Sequence, residues 1–405
     1  MNRIAKKSET ISAGLLATVI FVLPFSHKYI APLIGFWVLS TIVSIIVSKP
    51  KLKPNNALIS LIIFYILLVV GLLWTSNMKS GTFDLEVKMS LLIFPLIFLY
   101  KSYSIKHIKW ILISFFIGLL LSSFYFLLEA FRNFLENGND FNTFLYADLS
   151  YKIHPTYMSL YYATAIIIML IDLIKKRFLK NNWLYVILII YFYSYNLLLL
   201  SKVGIVTVTL LIFVFIVFWS VRNRNIILPS IAVLALVGIL LFSYNQSAFI
   251  QHRMGEFVYG LSPDPGKKNN GSTGIRLQIW HQGIDLIKEK PLFGYGTGDV
   301  KDVLMKRYDE VGMTSAYNKK LNAHNQFIQV TISLGIMGFL IFAFVLIEPI
   351  WRGLKQDNLF IVSFVLMFIA YALTESVLEN QAGTIFFGFL FSLLNQNAFF
   401  TNDKS

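Results

Sequence analysis

Residues Trp183–Val221 read WLYVILIIYFYSYNLLLLSKVGIVTVTLLIFVFIVFWSV, and this stretch decides the fold. It consists of two apolar runs, Trp183–Leu200 and Val203–Val221, divided by Ser201 and Lys202. Lys202 is the only charged residue in it. Each run approaches the roughly 20 apolar residues that a helix needs to cross a bilayer. In lipid every backbone polar group must find its partner inside the protein, and a helix does so within one segment. The stretch therefore reads as a pair of membrane helices joined by a tight polar turn.

The same pattern extends in both directions. Apolar runs recur at Thr10–Phe25, Tyr29–Ser48, Ala57–Trp74, Met89–Tyr100, Ile108–Phe131 and Pro155–Ile174 before the pair, and at Ile226–Tyr244, Asn325–Ile350, Leu359–Leu373 and Gly383–Leu394 after it. Of the 405 residues, 56% are hydrophobic and only 14% charged, against about a quarter charged in a soluble domain. The expectation is an all-α polytopic membrane protein of about twelve transmembrane helices. The first run follows Arg3, Lys6 and Lys7, as a signal peptide would, but no small-residue cleavage site follows it. It reads as an uncleaved first helix. There is no cysteine, which excludes disulfides, thiolate catalysis and cysteine metal sites.

The net charge of +14 is spread between the apolar runs and forms no single basic patch. It is a topology signal, and nucleic acid is not an expected partner. With the N-terminus in the cytoplasm, the cytoplasmic segments carry 18 Lys and Arg, the short outer segments 6, and one long outer loop the remaining 11. Basic residues favour the cytoplasmic side of short loops, so both termini are expected in the cytoplasm of a bacterial inner-membrane protein. The chain divides into residues 1–244 with nine spans, a large periplasmic loop over 245–324, and residues 325–405 with three spans and a cytoplasmic end. Long connections in compact proteins are usually functional or unstructured. Within the loop, Ser262–Thr273 is turn-rich. Ile275–Lys290 places Ile279, Trp280, Ile284 and Ile287 at helical spacing, an amphipathic helix for the membrane surface.

A polar group at the membrane costs several kcal/mol unless paired or wetted, so ionisable residues at span ends are candidates for chemistry. Those on the outer face are Arg132, Lys152, His154, Lys202, Arg276, His281, His324, Glu375 and Glu379. The cytoplasmic face has only short basic loops. His324 opens the tenth span, where free N–H groups and the helix dipole favour an anion. An imidazole there can act as a general base or can cap the helix. Arg276 begins the amphipathic helix, either as a diphosphate ligand or as an interfacial anchor. Lys202 and His154 are each a site residue or an ordinary loop residue. Glu375 and Glu379, four apart, are an acid/base pair or partners of nearby cations. Gly294–Asp299 (GYGTGD) lacks the GxGxxG spacing and follows Pro291, so it reads as a turn. No Walker loop is present, which argues against ATP-driven transport. Few charges lie at span midpoints, which argues against an ion pump.

Four of these elements resemble the O-antigen ligase family, which includes O-antigen polymerases and bacterial protein O-oligosaccharyltransferases. They are His154-Pro155-Thr156-Tyr157, Ser201-Lys202, Arg276–Gly298 (RLQIWHQGIDLIKEKPLFGYGTG), and Ala323-His324-Asn325-Gln326-Phe327 followed by Leu334-Gly335 and Gly338. The twelve-span layout with one large outer loop matches too. The resemblance implies a metal-independent glycosyltransferase of the GT-C type, without a cofactor. It would move a glycan from undecaprenyl diphosphate to an acceptor hydroxyl at the periplasmic face, in the first instance to lipid A-core in lipopolysaccharide biosynthesis. It further implies that Arg276 and Lys202 hold the diphosphate and that His324 is catalytic, with His154, Tyr157, Asn325, Glu375 and Glu379 as further acceptor-side or secondary positions. The family usually has arginine where this chain has Lys202. Lysine keeps the charge and loses the bidentate fork. Two other readings stay open. One is another member's reaction, with a second lipid-linked glycan or an exported protein as acceptor. The other is a transporter of lipid-linked glycan without chemistry, which would need cation pairs along a path to the cytoplasmic side.

Overall fold

The computed structural model describes residues 3–396 apart from 27, 137, 151, 177–181, 224–237 and 239–271. Among them there is no strand, and the chain is a helical bundle. Its first half runs α1 (Arg3–Val22), α2 (Ile30–Ser48), α3 (Asn56–Val70), α4 (Met78–Lys88), α5 (Ser90–Tyr100), α6 (Ile105–Glu136), α7 (Tyr146–Ser150) and α8 (Pro155–Lys175). The second half runs α9 (Asn182–Leu198), α10 (Lys202–Asn223), α11 (Ser272–Glu289), α12 (Val300–Glu310), α13 (Thr314–Asn318), α14 (Gln326–Lys355), α15 (Leu359–Ala372) and α16 (Gln381–Leu394). Among the described residues, five helices are long and apolar enough to cross a membrane: Ile30–Ser48, Asn56–Trp74, Ile105–Glu136, Pro155–Lys175 and Gln326–Lys355. Shorter apolar helices accompany them. The protein is an all-α polytopic membrane protein. The ninth expected span, Ile226–Tyr244, lies outside the described residues apart from Gly238. So does most of the turn-rich stretch, except Ser272 and Thr273, which begin α11.

The connections between helices sort into two ends. At one end, Lys53 N–H reaches Leu99 O, Asn55 reaches Asn395 O, Tyr103 N–H reaches Gln396, and Lys175 pairs with Asp357. At the other, Thr297 reaches Leu68 O, Trp74 reaches Phe293 O, Lys88 pairs with Glu379, and His324 meets Glu375. We call the second the site end. α8 runs through the middle of the bundle, buried along almost its whole length. Pro155 at its first position needs no N–H partner, and His154 caps it by accepting the Thr156 N–H at 3.3 Å.

α11 lies at the site end and packs on α14. Its buried line is Ile279 and Leu286, with Gly283 set against Ile328. Ile284, expected on the apolar face, is 47% exposed. The buried stripe is rotated from the expected one because α11 packs on protein along that side. Asp299 fastens the same segment to the turn after α3, accepting Ser76 N–H and Asn77 N–H at 2.7 Å each.

α14 is interrupted where the sequence suggested one continuous span. Gly335 has φ 62 and ψ −158, a backbone state open to glycine. The break turns Ile336 N–H away to Pro291 O, and the carbonyls of Ile332 and Ser333 accept Tyr295 N–H and Gly296 N–H instead. The Gly294–Asp299 turn is thereby docked into the break. A Cβ at Gly335 would lie 2.2 Å from Leu292 O, and one at Gly294 2.5 Å from Ile332 O. Glycine is required on both sides of the contact.

Candidate functional site

The site end of α14 begins with a strained turn. His324 stands at φ 44, in the left-handed region, which costs a non-glycine residue free energy and clusters at functional positions. Asn325 then caps α14, accepting Phe327 N–H at 2.9 Å and Ile328 N–H at 3.1 Å. Its amide donates to Leu373 O at 3.1 Å. The cap fixes the backbone, and the turn before it aims the His324 ring towards the segment after α15.

Glu375 receives it. The chain leaves the helix after Ala372, and Glu375 lies in the following turn with 6% of its surface exposed. Its Oε1 lies 3.0 Å from His324 Nδ1, and its Oε2 accepts from Arg276 Nη2 at 3.2 Å. One buried carboxylate therefore joins two residues brought from different elements. Burial would raise the Glu375 carboxyl, but the His324 hydrogen bond and the charges of His324, Arg276 and His154 together hold it below the usual carboxylate range. His154, at the start of α8, thus lies within electrostatic reach of the same carboxylate, its ring edge-on to Tyr157.

α11 holds this arrangement from above. Arg276 and Trp280 are four apart and share a face. While Arg276 engages Glu375, Trp280 Nε1 donates to the His324 carbonyl at 3.3 Å. At the beginning of α11, Thr273 accepts from Lys202 Nζ at 3.2 Å. Thr273 is one turn before Arg276, so the contact draws the Lys202 cation to the start of the helix that carries Arg276. Tyr157 is 7% exposed on α8.

Glu379 goes elsewhere. It lies in the turn Val377–Glu379 and pairs with buried Lys88 at 2.9 Å, which also pairs with Asp84 at 2.7 Å. Burial, opposed by Lys88 and reinforced by Glu379, pushes Asp84 up to about 7. Gln326 donates to Glu379 at 3.3 Å and accepts Leu378 N–H at 2.7 Å. This second cluster borders a cavity of about 20 Å³, the size of one water. Glu375 and Glu379, weighed as a pair from their spacing, belong to separate clusters because no helix runs between them. Three other ionisable residues of the sequence face make local contacts. Arg132 pairs with Glu129 and Glu136, His281 with Asp285, and Lys152 lies 5.6 Å from the Tyr125 ring.

A buried carboxylate on His324 Nδ1 fixes the tautomer that leaves Nε2 to accept a proton. A guanidinium and an ammonium at one helix start suit an anion with two phosphate groups. The sequence singled out the cations and the histidine. It did not single out Glu375 as the residue that joins them, nor Trp280 and Thr273 as the residues that align α11.

Comparison with known proteins agrees with the resemblance seen in the motifs. A model of the O-antigen ligase family matches residues 186–343, a region that includes Lys202, Arg276 and His324. An uncharacterized protein of Haemophilus influenzae is 23% identical over 176 residues, covering 41% of this chain and 44% of that one. A protein of Rickettsia felis named "Putative polysaccharide ligase" is 26% identical over 137 residues, covering 33% and 31%. One of the same description from Rickettsia typhi is 26% identical over 144 residues, covering 35% and 33%. The chain thus spans less than half the length of each of these relatives. The matches support an O-antigen ligase family assignment.

Proposed function

We propose that this chain, whose matches support an O-antigen ligase family assignment, moves a glycan from undecaprenyl diphosphate to an acceptor hydroxyl at the periplasmic face, and that the acceptor is lipid A-core. The observation that carries the reading is the junction at Glu375, which holds His324 on one oxygen and Arg276 on the other.

The donor is already activated, because its leaving group is a lipid diphosphate. The acceptor oxygen attacks the anomeric carbon while the bond from that carbon to the phosphate oxygen breaks, and the electron pair leaves on the diphosphate. Arg276 and Lys202 neutralise the charge that builds there, which is the largest single contribution available to such a reaction. Arginine offers five N–H donors in a fixed fork, and Glu375 engages one of its nitrogens. The acceptor proton passes to His324 Nε2, and Glu375 stabilises the imidazolium that results. Attack from the face opposite the diphosphate inverts the anomeric centre. His154 and Tyr157 line the acceptor side. Side chains supply all the charge handling, so the reaction is expected to survive EDTA.

The test is transfer by the purified protein in lipid nanodiscs, supplied with an undecaprenyl-diphosphate-linked glycan and offered lipid A-core in one reaction and only more donor in another. Glycan on lipid A-core with release of undecaprenyl diphosphate is the expected result. Lengthening of the lipid-linked glycan with no transfer to lipid A-core would replace the ligase reading by a polymerase one.

A further inference from the structure

Beneath the candidate site, four helices meet at Gly204. A Cβ at this position would lie 1.7 Å from Ser159 Oγ, 2.9 Å from Ser159 Cβ and 3.0 Å from Tyr371 Oη. Ordinary van der Waals contact begins at 3.4 Å, so no side chain fits between α10 and α8. Ser159 Oγ donates to Asn196 Oδ1 at 2.6 Å and is 2.9 Å from Tyr371 Oη. Ser159 has one hydroxyl proton and gives it to Asn196, so Tyr371 is the donor in the second bond. Ser159, Asn196 and Tyr371 are all fully buried. Asn196 Nδ2 has no hydrogen-bond partner among the described residues, an expense inside a membrane bundle that packing alone does not demand, since leucine fills a similar volume.

The position of this node in the chain gives it meaning. Gly204 is two residues beyond Lys202, in the first turn of α10, and its N–H points to Ser201 Oγ at 3.4 Å. Leu200, at φ 47, makes the sharp turn from α9, which carries Asn196. Ser159 is about one turn into α8, whose cap is His154. Tyr371 is one turn before Glu375, and its carbonyl accepts the Glu375 N–H at 2.9 Å. Three of the four helices at the node therefore deliver a site residue within about a turn: α10 Lys202, α8 His154 and α15 Glu375.

We infer that Gly204, Ser159, Asn196 and Tyr371 form a positioning node that sets the separation of the Lys202 cation from the Glu375–His324 pair. The inference rests on the proposed donor site, and it concerns residues that touch neither donor nor acceptor. The missing Cβ lets α10 approach α8 and α15, and the hydroxyl–amide chain fixes the approach at one distance. A side chain at 204 must displace Ser159 Oγ, and with Ser159 Cβ at 2.9 Å and Tyr371 Oη at 3.0 Å it also pushes the start of α10, with Lys202, outwards. A misplacement of 1 Å at a reacting site can cost about 10²-fold in activity, and less in simple binding.

The experiment uses the full chain, in which the absence of native cysteine allows selective labelling. Spin labels at Val203→Cys and Thr374→Cys report the α10–α15 separation, and binding of undecaprenyl diphosphate reports the cation site. Gly204→Ala is expected to lengthen the interspin distance and to weaken undecaprenyl diphosphate binding by about tenfold. Adding Ser159→Gly, which opens the space that the new methyl needs, is expected to restore both. An unchanged distance in Gly204→Ala overturns the inference, and so does a lengthened distance with unchanged binding. A wild-type protein that fails to bind undecaprenyl diphosphate, yet shows the distance change and its rescue, would remove the donor reading and leave the node's geometric role standing.

Discussion

Glu375 is the residue on which the account turns. Its carboxylate meets His324 on one oxygen and Arg276 on the other, and in the proposed mechanism it directs His324 as the base. Glu375→Gln preserves shape and removes the charge, so transfer is expected to fall by about 10²-fold with the protein still folded. A rate near wild type in that variant would reduce Glu375 to a packing role. The same residue gives a pH signature. Its folded value lies below the usual carboxylate range, so its stabilising contribution is present above that range and is lost as pH falls through the lowered folded value. The thermal midpoint of the wild type in detergent should drop on acidification below the ordinary glutamate range, and Glu375→Gln should lack that component. Lys202→Arg should retain transfer, because it keeps the charge and adds a second donor geometry; loss of transfer with normal expression would show that position 202 does more than meet phosphate. Arg276 and His324 were legible in the sequence as ionisable residues at helix starts. Glu375 and Glu379 were legible as an acid/base pair or as partners of nearby cations, and each does meet a cation, Arg276 and Lys88 respectively. That Glu375 also joins His324 was not legible, because the contact is made in the turn beyond Ala372, where the helix stops.

At the scale of elements, the apolar runs located the helices well. Eleven of the twelve expected spans coincide with helices, and the ninth, Ile226–Tyr244, falls almost wholly outside the described residues. The 3.6-residue pattern fails to show the break in α14, because Leu334-Gly335 sits inside an unbroken apolar run and its cause is far away at Pro291–Gly296. The break and the glycine turn depend on each other: the turn supplies N–H groups to the Ile332 and Ser333 carbonyls that the interrupted helix leaves unmatched. Gly335→Ala should therefore cost more than a helix glycine normally does, about 1–3 kcal/mol from the backbone state alone, with a further penalty from contact with Leu292 O. Hydrogen exchange is the measurement, and the amides of Tyr295, Gly296 and Ile336 should lose protection first. Global unfolding with no selective loss there would mean that the docked turn is not a separable unit. The displaced stripe of α11 teaches a similar lesson. Periodicity identified a helix with one apolar face, but which residues are covered depended on the neighbour, here α14.

On the scale of the whole molecule, helices alternate between two ends, and the described candidate residues gather at one of them. The basic-residue bias predicts that this end faces outwards. Reporter fusions after Asn270 should read periplasmic and fusions at Ser405 cytoplasmic; a cytoplasmic reading at Asn270 would invert the topology and put the site on the side where the donor glycan is not expected. Arg276 and Lys202 come together at the start of α11, and at the other end Glu9 meets Lys101 at 3.7 Å and His107 at 3.2 Å. The central claim is that His324 takes the acceptor proton while the cations hold the diphosphate. It is tested most directly by the single-turnover rate of glycan transfer in His324→Ala, measured beside undecaprenyl diphosphate binding by the same protein. The account predicts a rate about 10²–10⁴-fold below wild type with binding intact. Transfer at close to the wild-type rate would contradict it.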